Sequence, residues 1–226
     1  MKLELRYDLQ GSADRFWELF FDPEVTRRLH LKALRSTSVE IEEQTGDMAT
    51  GLQRTMRYGQ RPDAPGPVKK LFGAEVVTTE RGTFDPGTGI WSFTLTPAIL
   101  GEKTDIRGSI ELQETEGPTS PEPAHDAAPA TPTVRVIREK DDPQGEDGSP
   151  ADAPAVDELP ADDLAATGEA RRTDPGATSW EEIFRLEAKV KIFGAGPVVE
   201  RFIEKQARDT QGRAAAFFNG LLERGE

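Results

Sequence analysis

The sequence predicts an α+β fold: one antiparallel sheet of seven strands followed by a long C-terminal helix, with two short helices after the first strand. Three observations carry this. Between Ser38 and Leu112, segments of alternating apolar and polar residues follow one another with turns between them and no long helical pattern, which requires antiparallel pairing. From Ser179, the residues Trp180, Phe184, Leu186, Ala188 and Val190 alternate with Glu181, Arg185, Glu187 and Lys189, giving a long strand with one dry face. The apolar period then changes to about 3.6, through Val199, Phe202, Ile203, Ala207, Ala214, Phe217 and Leu221.

In chain order, Leu3, Leu5, Tyr7 and Leu9 alternate with charged residues in an amphipathic first strand. Ser12 is placed to cap a helix that buries Phe16, Leu19 and Phe20 and stops at Pro23. A second short helix from Pro23 to about Leu34 turns Val25, Leu29 and Leu31 inward. Strands follow: Val39 and Ile41 share one face, and Leu52, Met56 and Tyr58 share another. Pro65 to Gly73 interrupts with a short amphipathic piece. The Asp85 to Gly89 turn joins two β segments into a hairpin, and Ile106, Ile110 and Leu112 mark a further strand.

Composition divides the chain. Of the formal charge of −13, residues 117–178 hold −9, from 14 acidic and 5 basic residues. Those 62 residues include ten prolines and no Phe, Trp or Tyr, too little apolar matter to offset ordering entropy, so a disordered acidic insert is expected between the last two strands. Its segment Thr133 to Lys140 reads as an isolated strand. Closing a loop of this length in place of a four-residue hairpin costs about 2 to 3 kcal/mol, which the fold can bear. The domain is therefore expected to comprise residues 1–116 and 179–226.

The absence of cysteine removes disulfides and thiolate metal sites, and the charged start MKLELRYDLQ is unlike a signal peptide. A cytoplasmic location is expected. The acidic balance excludes a nucleic-acid partner of the usual kind, which needs clustered Lys and Arg.

This order of elements, with YDLQGSADRFWELFFDPEV at the front and VKIFGAGPVVERFIEKQ at the back, resembles the START-like (SRPBCC) superfamily, and within it an uncharacterised bacterial branch. Outside the insert the resemblance covers the whole chain. It implies a helix-grip fold, in which the curved sheet wraps the C-terminal helix and leaves a cavity for an apolar ligand. It supplies no ligand identity.

Sequence motifs add little catalytic chemistry. The GAGP turn at Gly194 to Pro197 has Val199 where a dinucleotide fingerprint has its third glycine, and no strand follows the helix, so it reads as a strand-to-helix turn. His30 and His125, the only histidines, lack partners at metal-ligand spacing, and no GxSxG elbow occurs. No metal or cofactor is expected. Gly212, inside the last helix, points to a kink or a close approach.

Polar residues on apolar faces are the more informative signal. Glu182 shares parity with Trp180 and Phe184, Arg54 shares parity with Leu52 and Met56, and Gln206 and Thr210 interrupt the last helix's inward stripe. Two readings are open. Either these groups orient a ligand, Arg54 donating to a carboxylate or phosphate, or Glu182 sits in solvent at a strand end and Arg54 pairs with Glu80 or Glu182. The candidate ligand-binding set is Arg54, Met56, Tyr58, Trp91, Phe93, Glu182, Phe184, Phe202, Gln206, Thr210 and Phe217.

The expected function is binding, and intermembrane transfer, of a lipid or other hydrophobic small molecule, with transient membrane contact through Lys69 and Lys70. The alternatives are an enzyme of the cyclase or hydratase kind using Glu182, Tyr58 and Arg54, and an interaction module whose acidic insert meets a basic protein partner.

Overall fold

The computed structural model describes residues 1–62, 73–115, 179–192 and 196–225. The expected piece at Pro65 to Gly73, the insert with its Thr133 to Lys140 strand, and the first half of the GAGP turn lie essentially outside those residues.

Seven strands form one antiparallel sheet: β1 (Lys2–Leu9), β2 (Ser38–Asp47), β3 (Gly51–Gln60), β4 (Val76–Asp85), β5 (Ile90–Pro97), β6 (Thr104–Thr115) and β7 (Ser179–Val190). They lie in the order β1-β7-β6-β5-β4-β3-β2, so the first strand closes against the last. β6 and β7 pair directly from Thr104↔Val190 to Thr115↔Ser179, so residues 116–178 connect two hydrogen-bonded neighbours. The Thr115 and Ser179 hydroxyls meet at 2.7 Å at that point.

Helix α1 (Ala13–Phe21) begins at Ser12, whose hydroxyl accepts from the Arg15 N–H, and ends at Asp22, which in turn caps α2 (Pro23–Arg28) through bonds from Glu24 N and Val25 N. Shared capping fixes the bend between the two helices. The second helix does not run to Leu34 in α geometry. Residues Leu29–Ala33 form a π turn, which rotates the following side chains: His30 is buried, whereas Leu31, expected inward, is 48 % exposed. The β4–β5 turn is held by Asp85, which accepts from Gly87 N at 2.9 Å and the Thr88 hydroxyl at 2.8 Å.

The long helix α3 (Gly196–Arg224) lies against β1 and β7. Leu3, Leu5, Phe16, Trp17, Phe184, Leu186, Ala214, Phe218 and Leu221 build the core between helix and sheet. This is the helix-grip arrangement. Two glycines on the sheet shape its inner surface. The Trp91 ring lies over Gly82 and the Phe93 ring over Gly108, each on the neighbouring strand, where a side chain would collide with the ring. Both rings therefore lie low on the sheet, which leaves space beneath α3.

Candidate functional site

That space is a cavity of about 220 Å³ between α3, the α1–α2 corner and the inner faces of β3 to β7. Of the eleven sequence-chosen residues, ten line it: Arg54, Met56, Tyr58, Trp91, Phe93, Glu182, Phe184, Phe202, Gln206 and Thr210. Phe217 does not. Phe218 takes its place, because the inward stripe runs Ala207, Thr210, Gln211, Ala214, Phe218, and Phe217 packs edge-to-face on Phe218 at its border.

Two polar centres stand in this apolar wall. The first is on β3 and β4. Arg54, 3 % exposed, donates from Nη1 to the Phe20 carbonyl at 2.9 Å and to the Thr26 hydroxyl at 3.4 Å, and its Nη2 lies 3.8 Å from Glu80 Oε1. Its guanidinium is stacked among Phe20, Trp91 and Phe21, at 4.8, 5.2 and 5.7 Å from their centroids. Burial pushes Arg54 down and Glu80 up, and each charge partly offsets the shift of the other. The Trp91 indole N–H is near enough to Glu80 to favour its charge but makes no hydrogen bond of standard geometry, and Arg54 Nε likewise lacks an acceptor. The guanidinium thus ties the end of α1 to the sheet, and of the two carboxylates considered for it, Glu80 is its partner.

Above this centre, burial and the nearby Arg54 charge hold the His30 pKa down at about 4, so the imidazole is neutral at physiological pH. Its Nδ1 meets the Ser36 hydroxyl at 3.3 Å, and its ring faces Tyr58 at 4.8 Å. Burial, then the Glu80 charge, raises the Tyr58 phenol above its ordinary range.

The second centre is Glu182 on β7. It is 2 % exposed, not at a solvated strand end, and its Oε1 accepts from Gln211 Nε2 on α3. Burial raises its pKa to about 7, against the lowering effect of the Gln211 bond. Its register partner Tyr7 is raised to about 12, by burial first and by Glu182 second.

Glu80, His30, Thr26 and Gln211 were not among the chosen site residues. Glu80 had a signal: it shares parity with Thr78, Gly82 and Phe84 on β4. His30 had none, since only the π turn brings it inward. Among the described residues no group of three or more His, Cys, Asp or Glu side chains could hold a metal ion, and no helix is long and apolar enough to cross a membrane.

The profile of the family described as Protein of unknown function (DUF2505) matches residues 4–129, more than half of the chain. The chain belongs to this family. No curated protein matches the sequence. Among solved structures, this DUF2505 member is similar to TTHA0849 from Thermus thermophilus, with a TM-score of 0.52 at 10% identity over 100% of this chain and 99% of that one. It is similar also to the Zhui aromatase/cyclase from Streptomyces sp. R1128, with a TM-score of 0.52 at 10% identity over 99% and 94% of the two chains. At such identities the likeness is one of fold.

Proposed function

We propose that the protein binds a compact apolar or amphipathic small molecule in the cavity beneath α3. The observation that carries this reading is the cavity itself: about 220 Å³, with a predominantly apolar surface from Phe16, Phe93, Phe184, Phe202, Phe218 and aliphatic neighbours, interrupted by a minority of polar groups. That proportion characterises small-molecule sites. Size narrows the class. An apolar cavity of roughly 150 Å³ takes up benzene, and drug-sized sites begin near roughly 300 Å³. A ligand of one or two rings, or one short chain, therefore suits the space better than a two-chain lipid. Transfer of a lipid between membranes is supported by element order and the START-like resemblance alone.

Native mass spectrometry of gently purified protein tests the reading. A reproducible co-purifying small molecule, lost when Ala214 in the cavity wall is changed to Trp, supports it; an empty protein that also takes up no apolar probe contradicts it.

A second reading, catalysis of the cyclase or hydratase kind, is favoured by Glu182, whose pKa of about 7 suits general acid–base work, and by the aromatase/cyclase on a similar fold. Of its other two candidates, Arg54 is held by Phe20, Thr26 and Glu80, and Tyr58 is raised far from neutrality. It requires that a recovered ligand be chemically altered on incubation with the protein, and that Glu182→Gln abolish the change.

A further inference from the structure

We propose that the polar group recognised in the cavity is a cation and that Glu182 receives it, which makes the ligand class a compact apolar amine. The inference rests on the small-molecule reading above and reverses the sign expected from sequence, where Arg54 stood as donor to an anion.

The reversal follows from which charges in the wall are already engaged. Arg54 Nη1 is engaged by the Phe20 carbonyl and the Thr26 hydroxyl, Nη2 faces Glu80 at 3.8 Å, and Nε, though without an acceptor, is sealed from the cavity while three rings cover the guanidinium, so an anionic head group reaches no open donor there. Glu182 is the opposite case. Its hydrogen-bond partner is Gln211, on Oε1, and its second oxygen has no donor among the described residues. β1 sets Tyr7 opposite it, β6 sets Leu112, and α3 contributes Gln211; Arg208, one turn before Gln211 on that helix, is paired with Glu204 at 2.6 Å. A buried carboxylate without a cationic partner is unfavourable and is relieved by a proton or by an incoming positive charge. Counted ionised, Arg54, Glu80 and Glu182 leave the wall net negative, which in a dry site repels carboxylates and phosphates and attracts an ammonium. In the unliganded protein burial favours a proton on Glu182, and the ammonium replaces it.

Isothermal titration of the full chain with three probes on one ring system decides the question: 2-naphthylmethylamine, 2-naphthylmethanol and 2-naphthoate. At pH 8 the amine should bind roughly tenfold or more tightly than the alcohol, as a hydrogen bond to a charged group does, with naphthoate weakest. Lowering the pH to 6 should weaken the amine and leave the alcohol unchanged. In Glu182→Gln the amine's advantage should vanish while the alcohol still binds. An alcohol or naphthoate that matches the amine at pH 8, or an amine preference that survives Glu182→Gln, overturns the proposal and leaves the small-molecule reading standing. Failure of all three probes to bind saturably removes both. Should the variant not fold, the pH series on the unaltered chain decides alone, since a pH-independent amine preference also refutes the proposal.

Discussion

Replacing Gly82 by alanine should both destabilise the protein and close the cavity. A methyl group built there falls 2.5 Å from Cε2 and Cη2 of Trp91, well inside van der Waals contact. Trp91 is fully buried, with Phe20 and Phe21 at 5.9 and 5.3 Å and the Arg54 guanidinium on its face, so the ring cannot slide sideways. It must lift off the sheet toward α3, into the space a ligand needs. Overpacking of this kind costs about 1 to 3 kcal/mol. For a domain of this size each kcal/mol lowers the melting temperature by about 2 to 4 °C, so a fall of about 2 to 12 °C is expected. Thermal denaturation gives the first number, and the Trp91 indole N–H resonance reports displacement of the ring. An unchanged melting temperature with an unmoved Trp91 resonance would refute the account of how the sheet makes room.

Gly212→Ala should do the reverse: the nearest atom to its added methyl is the Tyr7 hydroxyl at an ordinary 3.8 Å, and alanine is favoured over glycine in a helix by about 0.8 to 1 kcal/mol, so urea denaturation should show a gain of that order. Arg54→Met should cost about 3 to 5 kcal/mol by leaving Glu80 buried without its cation, and adding Glu80→Met should recover most of the loss; no recovery in the double variant would show that the guanidinium acts chiefly through Phe20 and Thr26. Glu182 is raised to about 7 from roughly 4.3 in the unfolded chain, so the folded state binds the extra proton between those values and stability contributed by this group falls as pH rises from roughly 4.3 to 7. Glu182→Gln should therefore be more stable than the unaltered protein at pH 8, an advantage that disappears near pH 5. His30 acts oppositely: held at about 4 against roughly 6.5 unfolded, it takes away stability as pH falls from roughly 6.5 to 4, and His30→Phe should flatten that limb of the profile.

The fold was legible because the strands declare their parity. Leu3, Leu5, Tyr7 and Leu9 on β1, and Phe184, Leu186 and Ala188 on β7, alternate without interruption and are all buried. The same parity exposed Arg54 and Glu182, since a charged residue in an apolar register has to be either an edge effect or a buried centre. What parity cannot give is the partner. Whether Arg54 is free for a ligand or consumed depends on Glu80 across one register step and on Phe20 and Thr26 from the α1–α2 corner, tertiary contacts without a sequence period. Phase errors explain the other differences. Leu31 and His30 exchange places because a π turn breaks the α period, and on α3 the inward stripe steps by four residues from Ala214, so that Phe218 rather than Phe217 reaches the cavity while the stripe elsewhere keeps its expected phase.

The most direct test of the central claim is where an apolar molecule sits. Titration with naphthalene, followed by side-chain NMR with intermolecular Overhauser contacts, should show saturable binding with contacts to Trp91, Phe184 and Phe218, all lost in Ala214→Trp. Absence of saturable binding, or contacts confined to exposed residues such as Ile99 and Val198, would contradict it.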